Sequence, residues 1–146
     1  MILLRYRLMV KMISLLFITL FVYTAVSKSL DMERFIYLLS KSDIIGRWSD
    51  LVAWSIVILE WITAFLLCYS SLRLWGLYCS FGMMILFTSY IAIMLATDSQ
   101  LPCGCAAMIE SLGWRSHLYL NLLLMGVALT GVLIERKRTL LRSRIS

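Results

Sequence analysis

Charged residues are scarce in this chain. Asp, Glu, Lys and Arg make up 15% of its 146 residues and apolar residues make up 62%, whereas soluble domains average about 25% and about 45–50%. Internal repeats and low-complexity segments are absent, and the one proline, Pro102, falls outside all four long apolar stretches. This composition excludes an ordinary soluble domain, because so much apolar surface has to face lipid.

Each of the four apolar stretches is long enough to cross a bilayer, which takes about 20 mainly apolar residues in a helix. They cover residues 9–27, 51–70, 74–96 and 118–134. A basic flank with Arg5 and Arg7 before an apolar run is also typical of a cleaved signal peptide. Because three further spans follow, we expect an uncleaved first helix instead. Helices satisfy their own backbone hydrogen bonds in lipid. The sequence therefore predicts an all-α membrane protein in which residues 1–146 form a single four-transmembrane-helix bundle.

Basic residues are unevenly distributed between the two ends of the predicted helices. Nine Lys and Arg residues lie on the side of the termini, and five lie in the other two loops, residues 28–50 and 97–117. Because Lys and Arg concentrate on the cytoplasmic side of membrane proteins, we expect both termini on the cytoplasmic side of the membrane and these two loops on the opposite side. The basic residues after the fourth span then set the orientation of the chain in the membrane and attract anionic lipid. Nucleic acid is not a predicted partner.

The first outer loop carries the pattern of a short amphipathic helix. Phe35, Leu38 and Leu39 are spaced i, i+3 and i+4, which places them on one helix face. Asp31 precedes them and belongs to a residue type that caps helix N-termini. We expect a short helix lying on the outer face of the membrane.

The second outer loop contains a closely spaced cysteine pair, Pro102-Cys103-Gly104-Cys105. The following residues, 106–113, predict a short helix ended by glycine, and its N-terminus would favour the thiolate form of both cysteines. Gly104 gives the backbone freedom to close a small, strained disulfide ring. Strained, exposed disulfides tend to be catalytic or regulatory, so we expect Cys103 and Cys105 to form a redox pair.

Two other uses of the pair stay open: a staple of the loop, or half of a site for copper(I) or zinc. The staple would be weak, because so small a ring removes little chain entropy. Only residues 71–73 separate the second and third predicted spans, so we expect a tight hairpin at the inner membrane face. Cys68 and Cys79 flank this inner hairpin, near the opposite membrane face from the outer loops. We expect these two to be small buried apolar side chains that cannot pair with the outer cysteines.

An acidic residue, Glu60, lies halfway along the second span, where an ionisable group is costly enough to suggest function. We expect a protonated carboxyl that acts as polar glue in the bundle, or that handles protons or contacts a cofactor. Its candidate hydrogen-bond partners are Tyr23, Thr63, Ser89 and Tyr90.

Three further polar residues flank the outer loops. His117 precedes the fourth span and could hold a proton or stabilise a thiolate; its alternative is an ordinary interfacial hydrogen bond. Asn121 is expected to hydrogen-bond between helices. Lys28, at the end of the first span, could extend outwards to water or pair with Asp31.

The order of these features resembles the MauE-like branch of the DoxX superfamily, over nearly the whole chain. The most specific part comprises Pro102 with the cysteine pair, residues 109–114, His117 and Asn121. Many members carry Phe-Gly or Gly-Gly after the second cysteine, where this chain has two alanines. The resemblance implies a bacterial inner-membrane protein that works beside periplasmic thioredoxin-like proteins. For the name-giving member it implies maturation of the disulfide-rich small subunit of methylamine dehydrogenase.

Together these features predict a membrane thiol–disulfide component, a candidate oxidoreductase, which exchanges with a thioredoxin-like partner to oxidise or mature a secreted cysteine-containing client. The sequence establishes no cofactor. A quinone is one redox partner it could use, although a self-contained quinone-linked oxidase normally needs a second outward cysteine pair. Two alternatives stay open: a non-catalytic docking or assembly subunit, and a small transporter built around Glu60.

Overall fold

The computed structural model of the protein describes residues 2–42, 45–96 and 113–143, and nearly all of these residues are helical, with no strand among them. The helices in chain order are α1 (Ile2–Leu30), α2 (Met32–Ser40), a short 3-10 helix (Gly46–Trp48), α3 (Ser49–Cys68), α4 (Arg73–Ala96) and α5 (Gly113–Ser143).

Four of these helices are long and apolar enough to cross a membrane. Their candidate spans are Leu4–Leu30, Gly46–Cys68, Arg73–Ile93 and Arg115–Leu141. The predicted all-α fold with four transmembrane helices is therefore confirmed, and the chain is a multi-pass membrane protein. Both α1 and α5 extend beyond the predicted spans at 9–27 and 118–134, because hydropathy marks the part of a helix that suits lipid and not the point where its hydrogen bonds end.

The long helices pack in the cyclic order α1, α3, α4, α5. The buried face of α1 illustrates how the core forms: Val10, Phe17 and Phe21 recur at helical spacing and are almost fully buried. The rings of Phe17 and Phe21 stack with centroids 5.9 Å apart, in an apolar cluster that also contains Leu67 of α3 and Leu77 of α4. Large apolar side chains elsewhere on these helices are exposed, as expected for helices that contact lipid.

Helices α3 and α4 form a tight hairpin joined by residues 69–72. Gly76 of α4 permits the close approach, because a Cβ atom at this position would lie 2.9 Å from the backbone nitrogen of Leu67. No side chain could be accommodated at that distance without a shift of one helix. The short inner connection predicted from the sequence thus corresponds to direct backbone contact between two spans.

The predicted amphipathic helix exists as α2, and Phe35, Leu38 and Leu39 are buried. Phe35 and Leu39 pack against Ala53 of α3, so this apolar face is turned towards the bundle. The expected capping by Asp31 is wrong. Its side chain makes no capping hydrogen bond, and only its backbone carbonyl accepts from the N–H of Phe35, at 3.1 Å.

The expectation that Cys68 and Cys79 are buried is also wrong, since both are free and exposed. Each is near a core residue in sequence, Leu67 or Leu77, but points to another side of its helix. In a four-helix bundle only one stripe of each helix faces inwards, and an apolar cysteine on the remaining surface can face lipid without penalty.

Candidate functional site

A buried ion pair joins the first and second membrane spans. Lys28, near the end of α1, donates a hydrogen bond to Oε1 of Glu60 in the middle of α3, and the two side chains are only 4% and 1% exposed. Both residues continue the buried stripes of their helices: Lys28 follows Phe21 and Ala25, and Glu60 follows Val57. Because α1 packs directly on α3, the two stripes bring the opposite charges together.

The surroundings of the pair combine a hydroxyl group and two aromatic rings. The hydroxyl of Thr24 lies 3.1 Å from Oε1 of Glu60 and 3.2 Å from the carbonyl oxygen of Phe21, so it can donate to either. The ammonium of Lys28 lies 5.5 Å from the ring centroid of Phe35 and 5.4 Å from that of Phe87. Aromatic rings at this distance stabilise a buried cation that water does not solvate.

These contacts correct the predictions for both charged residues. Lys28 neither extends to water nor pairs with Asp31, because it is buried against Glu60. Thr63, a predicted partner of Glu60, donates instead to the carbonyl of Leu59 at 2.7 Å. A protonated Glu60 is no longer required to explain a carboxyl group inside the bundle, since the ammonium supplies the opposite charge.

Helix α5 contributes two more polar side chains, His117 and Asn121. They stand one helical turn apart, and both are buried. Within the part of the chain that the structure describes, His117 Nδ1, Asn121 Nδ2 and Oε2 of Glu60 have no hydrogen-bond partner. Buried polar atoms usually have partners, so three such atoms on residues that line one cavity mark a place for polar chemistry.

All four predicted polar residues line one cavity of about 60 Å³. Lys28, Glu60, His117 and Asn121 form its polar wall together with Thr24, and the rest of the lining is apolar. The structure thus brings together residues from α1, α3 and α5 that are far apart in sequence. A cation, a carboxylate, an imidazole and an amide around one small space can hold a polar molecule or pass protons.

The cysteine motif, Pro102-Cys103-Gly104-Cys105, and the predicted short helix that follows it up to residue 112 lie outside the described residues. Residues 97–112 join the end of α4 to the beginning of α5. Helix α1 ends and α5 begins at the same end of the bundle, since Lys28 and His117 line one cavity. The segment that carries the cysteines therefore connects helices at the end nearest the polar cavity.

The described ranges of the chain contain no group of three or more His, Cys, Asp or Glu side chains that could hold a metal ion. The polar cavity has one histidine and one carboxylate, and that carboxylate already accepts from Lys28. The residues of the polar cavity are better suited to hydrogen bonding than to binding a metal ion.

Comparison with known proteins gives one family. A family model described as methylamine utilisation protein MauE matches residues 6–134, which include Lys28, Glu60, the cysteine pair, His117 and Asn121. No curated protein and no solved structure matches the chain.

Proposed function

Because the chain belongs to the MauE family, whose description is methylamine utilisation, we propose that it is a membrane thiol–disulfide component of that process. It exchanges disulfides with an extracytoplasmic thioredoxin-like protein and so supports oxidation or maturation of a secreted cysteine-rich client. The observation that carries the proposal is the Cys103-Gly104-Cys105 sequence in the segment joining α4 to α5. At this end of the bundle, His117 and Asn121 line the polar cavity.

The exchange follows thiol–disulfide chemistry. The thiolate of one cysteine attacks a disulfide sulfur of the partner and forms a mixed disulfide, and the partner's other sulfur leaves as a thiolate. The second cysteine of the pair then attacks the mixed disulfide. The chain gains a Cys103–Cys105 disulfide, and the partner gains two thiols, which receive the two protons that the chain's cysteines lose. The same steps run backwards when the chain is the oxidant.

The polar cavity supports this proposal through proton balance. Interconversion of a dithiol and a disulfide moves two protons together with two electrons, so a side chain that can both accept and donate a proton can assist it. His117 is the only histidine of the chain, and a neutral imidazole has one nitrogen that accepts and one that donates. Lys28 and Glu60 complete a hydrogen-bonding wall beside it.

The proposed location is a bacterial inner membrane, with the termini in the cytoplasm and the cysteine segment outside. Nine basic residues on the side of the termini against five on the other side support this orientation. An extracytoplasmic dithiol would meet its partner in a compartment where disulfides persist.

The deciding experiment compares Cys103→Ser, Cys105→Ser and the double variant in membranes. Non-reducing gels should reveal a mixed disulfide with a thioredoxin-like protein in one of the single variants and none in the double variant. In cells that carry the double variant, the secreted client should keep free thiols. The matched control is Cys68→Ser with Cys79→Ser, which removes two exposed free cysteines elsewhere in the chain and should change nothing. Full client maturation in the Cys103/Cys105 double variant would reject the redox function in favour of a docking subunit.

A further inference from the structure

A second, larger cavity lies beside the ion pair, between α2, α3 and α4. Its volume is about 260 Å³, and the side chains that line it are apolar except for Lys28 and Tyr90. For comparison, an apolar protein cavity of about 150 Å³ accepts benzene. The space therefore suits a substituted six-membered ring.

The cavity reaches the outer surface of the bundle. Leu59 of α3 and Leu86 of α4 belong to its lining and are 45% and 66% exposed. Exposed apolar side chains on membrane-spanning helices face lipid. A ligand would enter from the bilayer, and it must be soluble there.

The inner wall of the cavity favours a neutral ring with a hydrogen-bond acceptor. The rings of Phe35 and Phe87 line the cavity and flank the Lys28 ammonium, so an inserted ring can stack on aromatic surface. An ammonium has three N–H donors, and Lys28 can donate to a ligand oxygen while it keeps its bond to Glu60. Because Glu60 already balances the charge, a neutral carbonyl fits better than a carboxylate.

Lys28 and Phe87 line both the apolar cavity and the polar cavity that contains Glu60 and His117. A ring held in the apolar cavity would point one edge at the polar groups and its substituents towards lipid. The hydrocarbon chain of a lipid has no acceptor for Lys28 and therefore gains nothing from contact with the polar groups.

We propose that this apolar cavity binds the ring of a lipid-soluble quinone, with one carbonyl oxygen accepting a hydrogen bond from Lys28. Binding is independent of the cysteines. Its use in redox chemistry rests on the proposed function: a dithiol and a quinone give a disulfide and a hydroquinone, with two electrons and two protons passing to the quinone.

The test measures binding of radiolabelled decylubiquinone to the purified full chain in phosphatidylcholine nanodiscs. Ile56→Phe adds a ring to the cavity wall and should weaken binding about tenfold, which equals about 1.4 kcal/mol. Ile58→Phe is the matched control, because Ile58 is on the same helix, 52% exposed and outside the lining. It should leave the affinity unchanged.

A second variant removes the donor. Lys28→Met combined with Glu60→Leu replaces the ion pair by apolar groups and should also weaken binding about tenfold in protein whose helix content is unchanged. If Ile56→Phe does not fold, Val52→Phe on the same wall takes its place. Unchanged decylubiquinone affinity in folded cavity-filling variants would overturn the proposal.

Competition separates a quinone from a lipid chain. Unlabelled decylbenzene carries the same tail and a ring without carbonyl groups, and we expect it to compete at least about tenfold less well. Equal competition would mean that the cavity accepts lipid tails in general, which also overturns the proposal. The Cys103→Ser/Cys105→Ser variant should bind normally, so this result stands apart from the outcome of the exchange experiment.

Discussion

Lys28 of α1 donates a hydrogen bond to Glu60 of α3, and the two residues are 32 positions apart in the chain. Each is almost completely buried. Isolated charges are expensive inside a membrane bundle, so each residue is tolerated because the other is present. Lys28 also lines both cavities, and Glu60 lines the polar one, which links the stability of the bundle to the site.

Single substitutions of Glu60 should be graded by what they leave beside Lys28. Glu60→Gln keeps an oxygen that accepts from Lys28 and Thr24, so it should be the mildest. Glu60→Leu leaves a buried unpaired ammonium and should cost about 3–5 kcal/mol, whereas the double change with Lys28→Met should recover most of this loss. Glu60→Lys, with two buried ammonium groups, should be worst. Thermal unfolding in detergent measures the series, and a Gln variant that unfolds as readily as the Leu variant would contradict it.

If Glu60→Gln folds normally but abolishes thiol exchange, the carboxylate does more than neutralise Lys28. Proton transfer at Glu60 would then be the better interpretation, because the amide preserves shape and hydrogen bonding but cannot carry a proton. Comparing unfolding temperature with exchange rate in the same preparation separates the two roles.

The contact between α3 and α4 predicts a difference between two glycines of one helix. Gly76→Ala places a methyl group 2.9 Å from the Leu67 backbone nitrogen and should destabilise the fold by about 1–3 kcal/mol. Gly82→Ala meets no atom within 4 Å and should be neutral or slightly stabilising, since alanine favours helix. Thermal unfolding of both variants in the same detergent is the measurement. Similar unfolding temperatures would show that the hairpin can relax at Gly76.

Asn121→Leu should separate stability from function. The side-chain nitrogen of Asn121 has no partner among the described residues, so replacing the amide by an apolar group should keep or raise the unfolding temperature. If the Asn121 N–H group donates a hydrogen bond only during thiol exchange, its replacement should slow exchange by about tenfold. Leu123→Ala, at an exposed position on the same helix, serves as a control for exchange. An unchanged exchange rate in Asn121→Leu would limit this residue to packing.

The proposed orientation can be tested with a membrane-impermeant maleimide on intact cells. The background is Cys68→Ser with Cys79→Ser, because both cysteines are exposed and their labelling would confuse the result. After mild reduction, Cys103 and Cys105 should be labelled without permeabilisation. Labelling that appears only after permeabilisation would place the termini outside and the cysteine segment in the cytoplasm.

The fold was predictable because hydropathy and length specify membrane helices. Side-chain positions that depend on packing could not be predicted from the sequence. Cys68 and Cys79 were expected inside because cysteine is often buried, but in lipid an apolar side chain can face either way. Asp31 has a residue type that caps helices, yet a capping hydrogen bond also needs backbone geometry that composition does not report.

The ion pair between Lys28 and Glu60 was not predicted from the sequence. Lys28 stands one residue beyond the predicted first span at 9–27, where a lysine normally extends towards water. The signal that could have found it is its place on the stripe of Phe17, Phe21 and Ala25, all buried. Glu60 was recognised as costly, but helices that are apolar all round do not indicate which neighbours they contact. The helix order of the bundle supplied that information.

The separation of Lys28 and Glu60 along the chain also has a consequence for biogenesis. The ribosome delivers α1 to the insertion machinery before α3 exists, so Lys28 first enters the bilayer region near one edge, where a lysine can still reach the headgroups. Glu60 follows at the centre of its segment, where a lone acidic residue costs about 2.5–3.5 kcal/mol on insertion. A waiting α1 offsets that cost by presenting an ammonium group. We therefore expect retention of the first span beside the translocon to favour insertion of the second, and a chain that lacks α1 should release α3 to the aqueous side more often.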